Sequence, residues 1–192
     1  MFECRHAPLT LAPATEVVLA AAYAEPQRAY HTAQHITDVL RWFDAVADAV
    51  GWHDPVSVYH AIVFHDAVYD PRRGDNEARS AELARAHGAS DRACELILLT
   101  AQHGKLAAAP DADAAHFLDA DTAILGADPE SFEAYDAGIA FEYSHVPPDA
   151  YRAGRIAFLK SMLARPRIYY SDYFFDRLEA AARRNLTLMA RA

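Results

Sequence analysis

Residues 62–71 read IVFHDAVYDP, and this stretch raises the question on which the fold and the chemistry depend. Apolar residues lead into His65 and Asp66, so an imidazole and a carboxylate stand side by side in what otherwise reads as a buried core. Burying such a pair is costly unless another group satisfies it. A buried His–Asp hydrogen bond would do so, and so would a metal ion that is shared with other helices.

The chain around this stretch has the length and composition of one ordinary domain. It has 192 residues, of which 53% are hydrophobic and 23% charged, as is typical of a soluble globular protein with a full core. Two cysteines, Cys4 and Cys94, are too few for a disulfide framework, so we expect a reducing, cytoplasmic environment.

Charge is unevenly distributed along the chain. The formal net charge is −9, yet nine basic residues stand against three acidic ones from residue 150 onward, so the acidic excess lies in the first 149 residues. An acidic body argues against nonspecific binding of nucleic-acid polymers. The same charge distribution is compatible with a small phosphorylated ligand that is bound by a few nearby lysine or arginine side chains.

The apolar stretch VVLAAAYA (17–24) ends in the A-x-A pattern of a secretory signal. Glu3 stands where a signal peptide is positive, and Thr15 with Glu16 is a typical helix start, so we expect a short helix instead. No apolar run approaches the roughly 20 residues that a membrane helix needs, and we expect no membrane association.

Alanine-rich segments with helical spacing dominate the chain, and the strict alternation that is typical of strands is rare. We therefore predict a single all-α domain over residues 1–192. The predicted helices are 15–24, 32–50, 55–68, 75–88, 90–103, 112–124, 129–143, 148–165 and 172–190. Turn chemistry separates them, as in HGAS (87–90), where Gly88 suits a helix end and Ser90 suits the cap of the next helix.

Two of the predicted helices carry histidines beside an apolar face. In YHTAQHITDVL (30–40), His31 and His35 are four residues apart and share one side of a helix. A histidine at the edge of an apolar stripe is most often a satisfied core residue. The adjacent His65 and Asp66 point about 100° apart on a helix, so they can meet one ion only beside the helix edge.

Two later segments add further ligand-type side chains. His103 follows the apolar run ELILL, where a histidine at a helix C-terminus also interacts favourably with the helix dipole. In FLDADTAILG (117–126), Asp119 and Asp121 stand among apolar residues, where an unpaired carboxylate is costly. Because two residues two apart cannot share one helical face, at most one of them points into a given site.

In chain order these residues read H…HD…D, and the sequence resembles the HD superfamily of metal-dependent phosphohydrolases. YHTAQHI, FHDAVYDP, GDNEARSA and FLDADTAILG together resemble one subfamily of short, stand-alone bacterial proteins that are predicted to be HD phosphohydrolases. These motifs span residues 30–126, and the stretch 146–169 resembles the C-terminal part of the same subfamily. The resemblance implies an HD-domain-like helical bundle, whose C-terminal helices (148–190) pack on or cover the site.

Position by position, the resemblance implies that His35, His65, Asp66 and Asp121 bind one divalent metal ion. Asp121 matches the last carboxylate of the H…HD…D pattern because a small residue precedes it. Asp119 would then orient the metal ligands without binding the ion itself. Two imidazoles and two carboxylates suit Mn, Fe, Co, Ni or Zn better than Ca, with Mg as a further candidate. A second metal is not expected, because the ligand set of a dinuclear site is incomplete.

The activity that the resemblance implies is hydrolysis of a phosphoester in a small phosphorylated compound such as a nucleotide. Asp66 and Glu77 are the candidate catalytic residues, and Glu77 would give the leaving group its proton. A glutamate in the first turn of a helix also complements the helix dipole, so this position has an ordinary structural explanation too. Further candidates for supporting the ligands or contacting the substrate are His31, Arg79, His103, Lys105, Asp119, Tyr151 and Arg155.

Other functions fit the same residues. The predicted metal-binding residues could take part in binding a nucleotide signal without hydrolysing it, and the protein would then be a regulatory module. A dinuclear iron site with oxygenase activity, known among relatives of the superfamily, would need more ligands, of which His103 is the obvious one. The aromatic residues between 135 and 175 suit a packed core or a homodimer interface as well as stacking on a base.

Overall fold

The computed structural model of the chain describes residues 2–191, which are helical and contain no strand. The predicted all-α fold class is confirmed, and each predicted helix is present. The α-helices are α1 (Pro13–Tyr23), α2 (Ala33–Ala49), α3 (Pro55–Phe64), α4 (Asn76–Ala86), α5 (Asp91–Thr100), α6 (Ala112–Asp121), α7 (Pro129–Glu142), α8 (Pro148–Ala164) and α9 (Asp172–Met189), and a 3₁₀ helix, Ala123–Gly126, lies between α6 and α7. None of the helices within residues 2–191 is long and apolar enough to cross a bilayer.

Capping side chains and prolines explain where most of the helices begin. Six helices start at a residue whose side chain accepts a hydrogen bond from a backbone amide of the first turn, which satisfies a donor that has no partner inside the helix. These cap residues are Thr32, Asp54, Ser90, Asp111, Asp128 and Ser171. Proline occupies the start of α1, α3, α7 and α8, where its fixed φ suits a helix and its missing N–H is not needed.

The start of α4 differs from this pattern. Asp75 occupies the cap position but its side chain makes no capping hydrogen bond. Its carboxylate instead accepts hydrogen bonds from the Arg73 guanidinium. An arginine two residues away therefore competes successfully for a carboxylate that local sequence rules assign to the helix.

Contacts divide the chain into two compact units, Met1–His103 and Gly104–Ala192. The first unit contains α1 to α5, and the second contains α6 to α9 with the 3₁₀ helix. The prediction of one HD-type domain over the whole chain stays a prediction, as does the prediction that the C-terminal helices cover the site.

Helix α3 is the centre of the first unit. It packs against α2, α4 and α5, and every residue from Ser57 to Phe64 is buried. A helix that is covered on all sides needs apolar residues all around, which is why VYHAIVF lacks the one-sided pattern of a surface helix. The functional stretch of the sequence therefore begins on the most buried helix of its unit.

Helix α9 is tied to the 3₁₀ helix and to α6 in the second unit. Gly126 lies so close to α9 that an added Cβ would be 2.7 Å from the Leu178 Cβ, so the approach requires glycine. The buried Asn185 donates hydrogen bonds from its amide to the carbonyls of Leu125 and Ala127. These contacts hold the segment that follows Asp121 against the last helix of the unit.

Candidate metal centre

His65 and Asp66 lie in the turn directly after α3, and not inside a helix that continues to residue 68 as predicted. The His65 amide donates the last α-helical hydrogen bond to Ala61, and the Ala67 amide turns back to the Phe64 carbonyl. Side-chain contacts explain this early end, and the contact from Tyr23 comes from 40 positions away, which sequence periodicity does not show. They satisfy the carbonyls that a helix end leaves without backbone partners.

The last carbonyls of α3 are taken by side chains. The Ile62 carbonyl accepts a hydrogen bond from His65 Nδ1 at 2.8 Å, and the Val63 carbonyl accepts one from the Tyr23 hydroxyl at 3.0 Å. Because these donors replace the next backbone amides, the helix ends without an energetic penalty for orphaned carbonyls. The turn thereby presents His65 and Asp66 together on one side.

Three potential ligand atoms meet at this turn. His35, in the first turn of α2, brings its Nε2 to 3.2 Å from His65 Nε2 and to 3.5 Å from Asp66 Oδ2. His65 Nε2 lies 3.0 Å from the same Asp66 oxygen. Separations of this size are those between neighbouring ligands of one ion at bond lengths of about 2.1 Å. This His–Asp group could hold a metal ion.

The tautomer of His65 follows from its hydrogen bond to the backbone. A carbonyl oxygen can only accept, so the Nδ1 that contacts the Ile62 carbonyl must carry the hydrogen. The Nε2 of His65, which faces His35 and Asp66, is then the ring nitrogen that is left to bind a metal ion or a second proton. A backbone carbonyl behind a histidine is the usual arrangement that orients a metal ligand and makes it more basic.

Neighbouring groups keep the pKa of the Asp66 carboxyl low. Burial by itself raises the pKa of Asp66, but the positive charge of His65, His31 and His35 when these rings are protonated, together with a hydrogen bond from His65, outweighs it and holds the pKa well below its ordinary value. The side chain remains 18% exposed, whereas that of His65 is 1% exposed. Solvent therefore reaches the His–Asp group from the side of Asp66, and the His35 and His65 rings lie on its buried side.

Asp121, the fourth predicted ligand, belongs to the second unit and is the last residue of α6. It is half-buried, and its charge adds to the effect of burial in raising the pKa of Tyr135. A carboxylate in the last turn of a helix faces the negative end of the helix dipole. A nearby cation would stabilise it in this position.

His31 lies beside the first-unit ligands. Its ring stacks on Tyr69 with the centroids 4.2 Å apart, and its centroid lies 6.0 Å from that of His35. Its contribution to the lowered pKa of Asp66 also places it within electrostatic range of that carboxylate. The proximity of His31 to His35, expected from their spacing on one helix face, is present although α2 begins only at Ala33.

The motif GDNEARSA (74–81) connects α4 to residues 68–70, which follow the turn that carries His65 and Asp66. Asn76 exchanges two hydrogen bonds with the backbone of Asp70, and the Ser80 hydroxyl contacts both the amide and the carbonyl of Val68. Glu77, the predicted proton donor, stands beside Asn76 in the first turn of α4 and is half-buried. The motif thus has an anchoring role that is separate from any catalytic role of Glu77.

The remaining predicted residues are distributed over both units. Arg79 is exposed on α4, and Lys105 is exposed in the second unit. His103 lies in the turn after α5, which ends at Thr100 and not at residue 103 as predicted. The roles assigned to these residues stay predictions.

Three further candidates have clear partners or positions within the second unit. The Arg155 guanidinium donates to Asp136 at 2.8 Å and to the Tyr135 hydroxyl at 3.2 Å. Asp119 is fully buried and accepts hydrogen bonds from the amides of Tyr170 and Ser171 and from the Ser171 hydroxyl. Tyr151 is half-buried on α8. Their predicted contacts with ligands or substrate stay predictions.

Sequence patterns do not single out Arg28, although it directly contacts the turn that carries the predicted ligands His65 and Asp66 (the ligand turn). Its guanidinium donates to the backbone carbonyls of Asp66 and Ala67. The only signal in the sequence is a single arginine in the turn EPQRAYH, between α1 and the histidines of α2.

No protein-family model, curated protein or solved structure matches this chain. The geometry of the first unit and the order of the motifs are therefore the basis for any statement about function.

Proposed function

We propose that the protein is a metal-dependent phosphohydrolase of the HD superfamily, and that it binds one divalent transition metal ion through His35, His65, Asp66 and Asp121. One observation carries the proposal. The Nε2 atoms of His35 and His65 and the Oδ2 atom of Asp66 lie 3.0, 3.2 and 3.5 Å from one another, while the Nδ1 of His65 is bound to a backbone carbonyl.

A proton or a metal ion must lie between His65 Nε2 and the Asp66 carboxylate. A neutral His65 ring directs a lone pair at a carboxylate oxygen, and two acceptors at this distance repel each other. A second proton on His65 would relieve this repulsion for His65 and Asp66, and it is in this protonated state that the imidazoles lower the pKa of Asp66. A divalent cation accepts the lone pairs of His35, His65 and Asp66 together, so it satisfies all three at once.

The donor set also fits the charge of such an ion. Two neutral imidazoles and two carboxylates carry a charge of −2, which a divalent ion neutralises. Nitrogen ligands favour Mn, Fe, Co, Ni or Zn over Ca, which prefers oxygen ligands throughout. The motifs and these ligands support one ion in each chain.

When bound, an ion of this kind polarises a phosphoryl oxygen and lowers the pKa of a bound water. Asp66 stays ionised and supplies an anionic oxygen on the accessible side of the group. Glu77 would transfer a proton to the departing oxygen of the substrate. It lies on α4, which Asn76 and Ser80 join by hydrogen bonds to Asp70 and Val68, shortly after the predicted ligands His65 and Asp66. The acidic first part of the chain favours a small phosphorylated substrate over a nucleic-acid polymer.

Metal content tests the proposal most directly. Protein purified without chelator should contain about one transition-metal ion per chain by elemental analysis, and His65→Ala, Asp66→Ala and Asp121→Ala should each lose it. His60→Gln is the matched control, because His60 is also buried in the first unit but lies outside the ligand set. Stoichiometric metal in folded His65→Ala protein would refute the assignment.

Activity tests the second half of the proposal. Nucleoside monophosphates, dinucleotides, sugar phosphates and aryl phosphates should be assayed with Mn²⁺, Co²⁺, Ni²⁺ and Mg²⁺. Glu77→Gln should keep the metal and lose turnover, which separates proton transfer from metal binding. Metal-loaded protein that turns over none of these compounds would contradict hydrolysis and favour a regulatory module, and two iron ions per chain would favour oxygenase chemistry.

A further inference from the structure

Arg28 is a charged side chain buried completely within the first unit. Its side chain is 0% exposed, and its carboxylate partner Glu25 lies 2.9 Å away and is 42% exposed. A buried guanidinium persists only where its donors are satisfied. The contacts of Arg28 therefore show what the fold gains from an arginine at this position.

Three of these contacts are to backbone carbonyls near the predicted ligands. Nη1 donates to His31 at 3.0 Å and to Asp66 at 2.7 Å, and Nη2 donates to Ala67 at 3.1 Å. The guanidinium thus connects the segment before α2, which leads into His35, to the turn that carries His65 and Asp66. The Asp66 and Ala67 carbonyls lie beyond the end of α3, where no further helical amide follows to bind them.

Two aromatic rings enclose the same guanidinium. Its central carbon lies 5.3 Å from the ring centroid of Tyr23 and 5.4 Å from that of Tyr69. The Tyr23 hydroxyl holds the Val63 carbonyl of α3, and Tyr69 stacks on His31. The rings therefore restrict the guanidinium to the orientation in which it reaches the three carbonyls.

We infer that Arg28 is a positioning residue for the metal centre: it fixes the backbone of the ligand turn so that His65 and Asp66 face His35 at bonding distances. The inference rests on the proposed function. Metal ligands must be held to within about 0.5 Å of the productive geometry, and a turn outside a helix has no hydrogen-bond ladder to hold it. Arginine suits this task because its rigid planar fork presents five donors, whereas lysine directs three donors from a single point.

Arg183 provides a matched control in the second unit. It also donates to a glutamate, Glu179, and to three backbone carbonyls, those of Leu163, Arg165 and Pro166. Its side chain is 35% exposed, and the carbonyls it binds belong to the end of α8 and the turn after it. Replacing it with lysine removes a similar set of contacts at a place that carries no predicted ligand.

The experiment compares Co²⁺ binding to metal-free wild type, Arg28→Lys and Arg183→Lys, by titration and by the visible absorption of the bound cobalt. Arg28→Lys should weaken binding by about 10- to 100-fold, the usual effect of losing a group that orients metal ligands, and should shift the cobalt bands because the ligand geometry changes. Arg183→Lys should bind as the wild type does. Folded Arg28→Lys with wild-type affinity and spectrum would overturn the inference.

A second variant covers the case in which Arg28→Lys does not fold. Glu25→Gln removes the carboxylate partner of Arg28 at a largely exposed position, so the fold should persist while the guanidinium is held less firmly. Amide hydrogen exchange over residues 65–69 of the metal-free protein should accelerate and Co²⁺ affinity should fall; exchange and affinity at wild-type levels would overturn the inference. Wild-type protein that binds no Co²⁺ would refute the proposed function as well, whereas equal binding by wild type and Arg28→Lys would refute this inference alone.

Discussion

The Nε2 atoms of His35 and His65 lie 3.2 Å apart, although the two histidines are 30 residues apart in the chain. One stands in the first turn of α2 and the other in the turn after α3, so the packing of these helices brings the rings together. Both rings are buried, and Asp66 places a charge beside them. A cation that binds this group should therefore stabilise the folded state, which leads to the first prediction.

Removing metal should lower the stability of the wild-type protein. An ion at 100 times its dissociation constant adds about 2.7 kcal/mol to the free energy of unfolding, which for a chain of this length raises Tm by roughly 5 to 11 °C at about 2–4 °C per kcal/mol. Thermal unfolding with and without chelator should show this difference in wild type and in His60→Gln. The difference should vanish in His65→Ala, and an equal chelator effect in that variant would contradict the ligand assignment.

Asp119→Ala should destabilise the protein strongly. Its carboxylate accepts from two backbone amides and one hydroxyl in the half-buried residues Tyr170 and Ser171, directly before α9, and each donor that loses its acceptor where water cannot replace it costs about 1–3 kcal/mol. We expect the free energy of unfolding in urea to fall by at least about 3 kcal/mol. Asp128→Ala, which removes an exposed helix cap, should cost only about 0.5–2 kcal/mol; equal losses in the two variants would show that burial of Asp119 is not decisive.

Local sequence rules predicted the helices well because the signals are themselves local. The cap at Ser90 and the positive φ of Gly88 both lie where the stretch HGAS indicates. The end of α3 escaped prediction because Tyr23 binds one of its last carbonyls and Arg28 binds the carbonyls just beyond it, and both residues lie about 40 positions earlier in the chain. No pattern around residue 65 contains that information.

The candidate site was predictable to a similar extent. His35, His65 and Asp66 were grouped because their order matches a known motif, and the first unit brings these three together. The spacing of the residues alone could not have placed them, since each had an ordinary structural explanation. Arg28 has no motif of its own, and its importance follows only from the carbonyls that the folded turn presents to it.

Two glycine-to-alanine substitutions in the second unit should have opposite effects. At Gly126 the new Cβ would lie 2.7 Å from the Leu178 Cβ and 3.1 Å from the Tyr169 hydroxyl, so the 3₁₀ helix and α9 must separate. We expect the free energy of unfolding to fall by about 1–3 kcal/mol, as for other overpacked sites.

At Gly154, within α8, nothing lies within 4 Å of the new Cβ, and alanine should add about 0.5–1 kcal/mol to the free energy of unfolding through helix propensity. Urea denaturation measures both, and a neutral Gly126→Ala would show that α9 is loosely held.

His60 should make the stability of the metal-free protein depend on pH. This histidine is buried on α3, and its Nδ1 has no hydrogen-bond partner within the described residues 2–191. Burial lowers its pKa below the ordinary value, and the weaker effect of the Asp54 charge opposes that shift. The folded state therefore resists protonation at this position.

The sign of the effect follows from proton binding. In the unfolded chain a histidine takes up its proton near pH 6.5, while folded His60 still resists it, so the unfolded state binds more protons as the pH falls below that value. Stability must then decrease as the pH is lowered from neutral through this range. In His60→Gln, which does not titrate, the decrease between pH 7.5 and pH 5.5 should be smaller than in wild type. Urea denaturation with chelator present isolates this contribution from metal binding, and parallel stability curves for the two proteins would show that burial does not perturb His60.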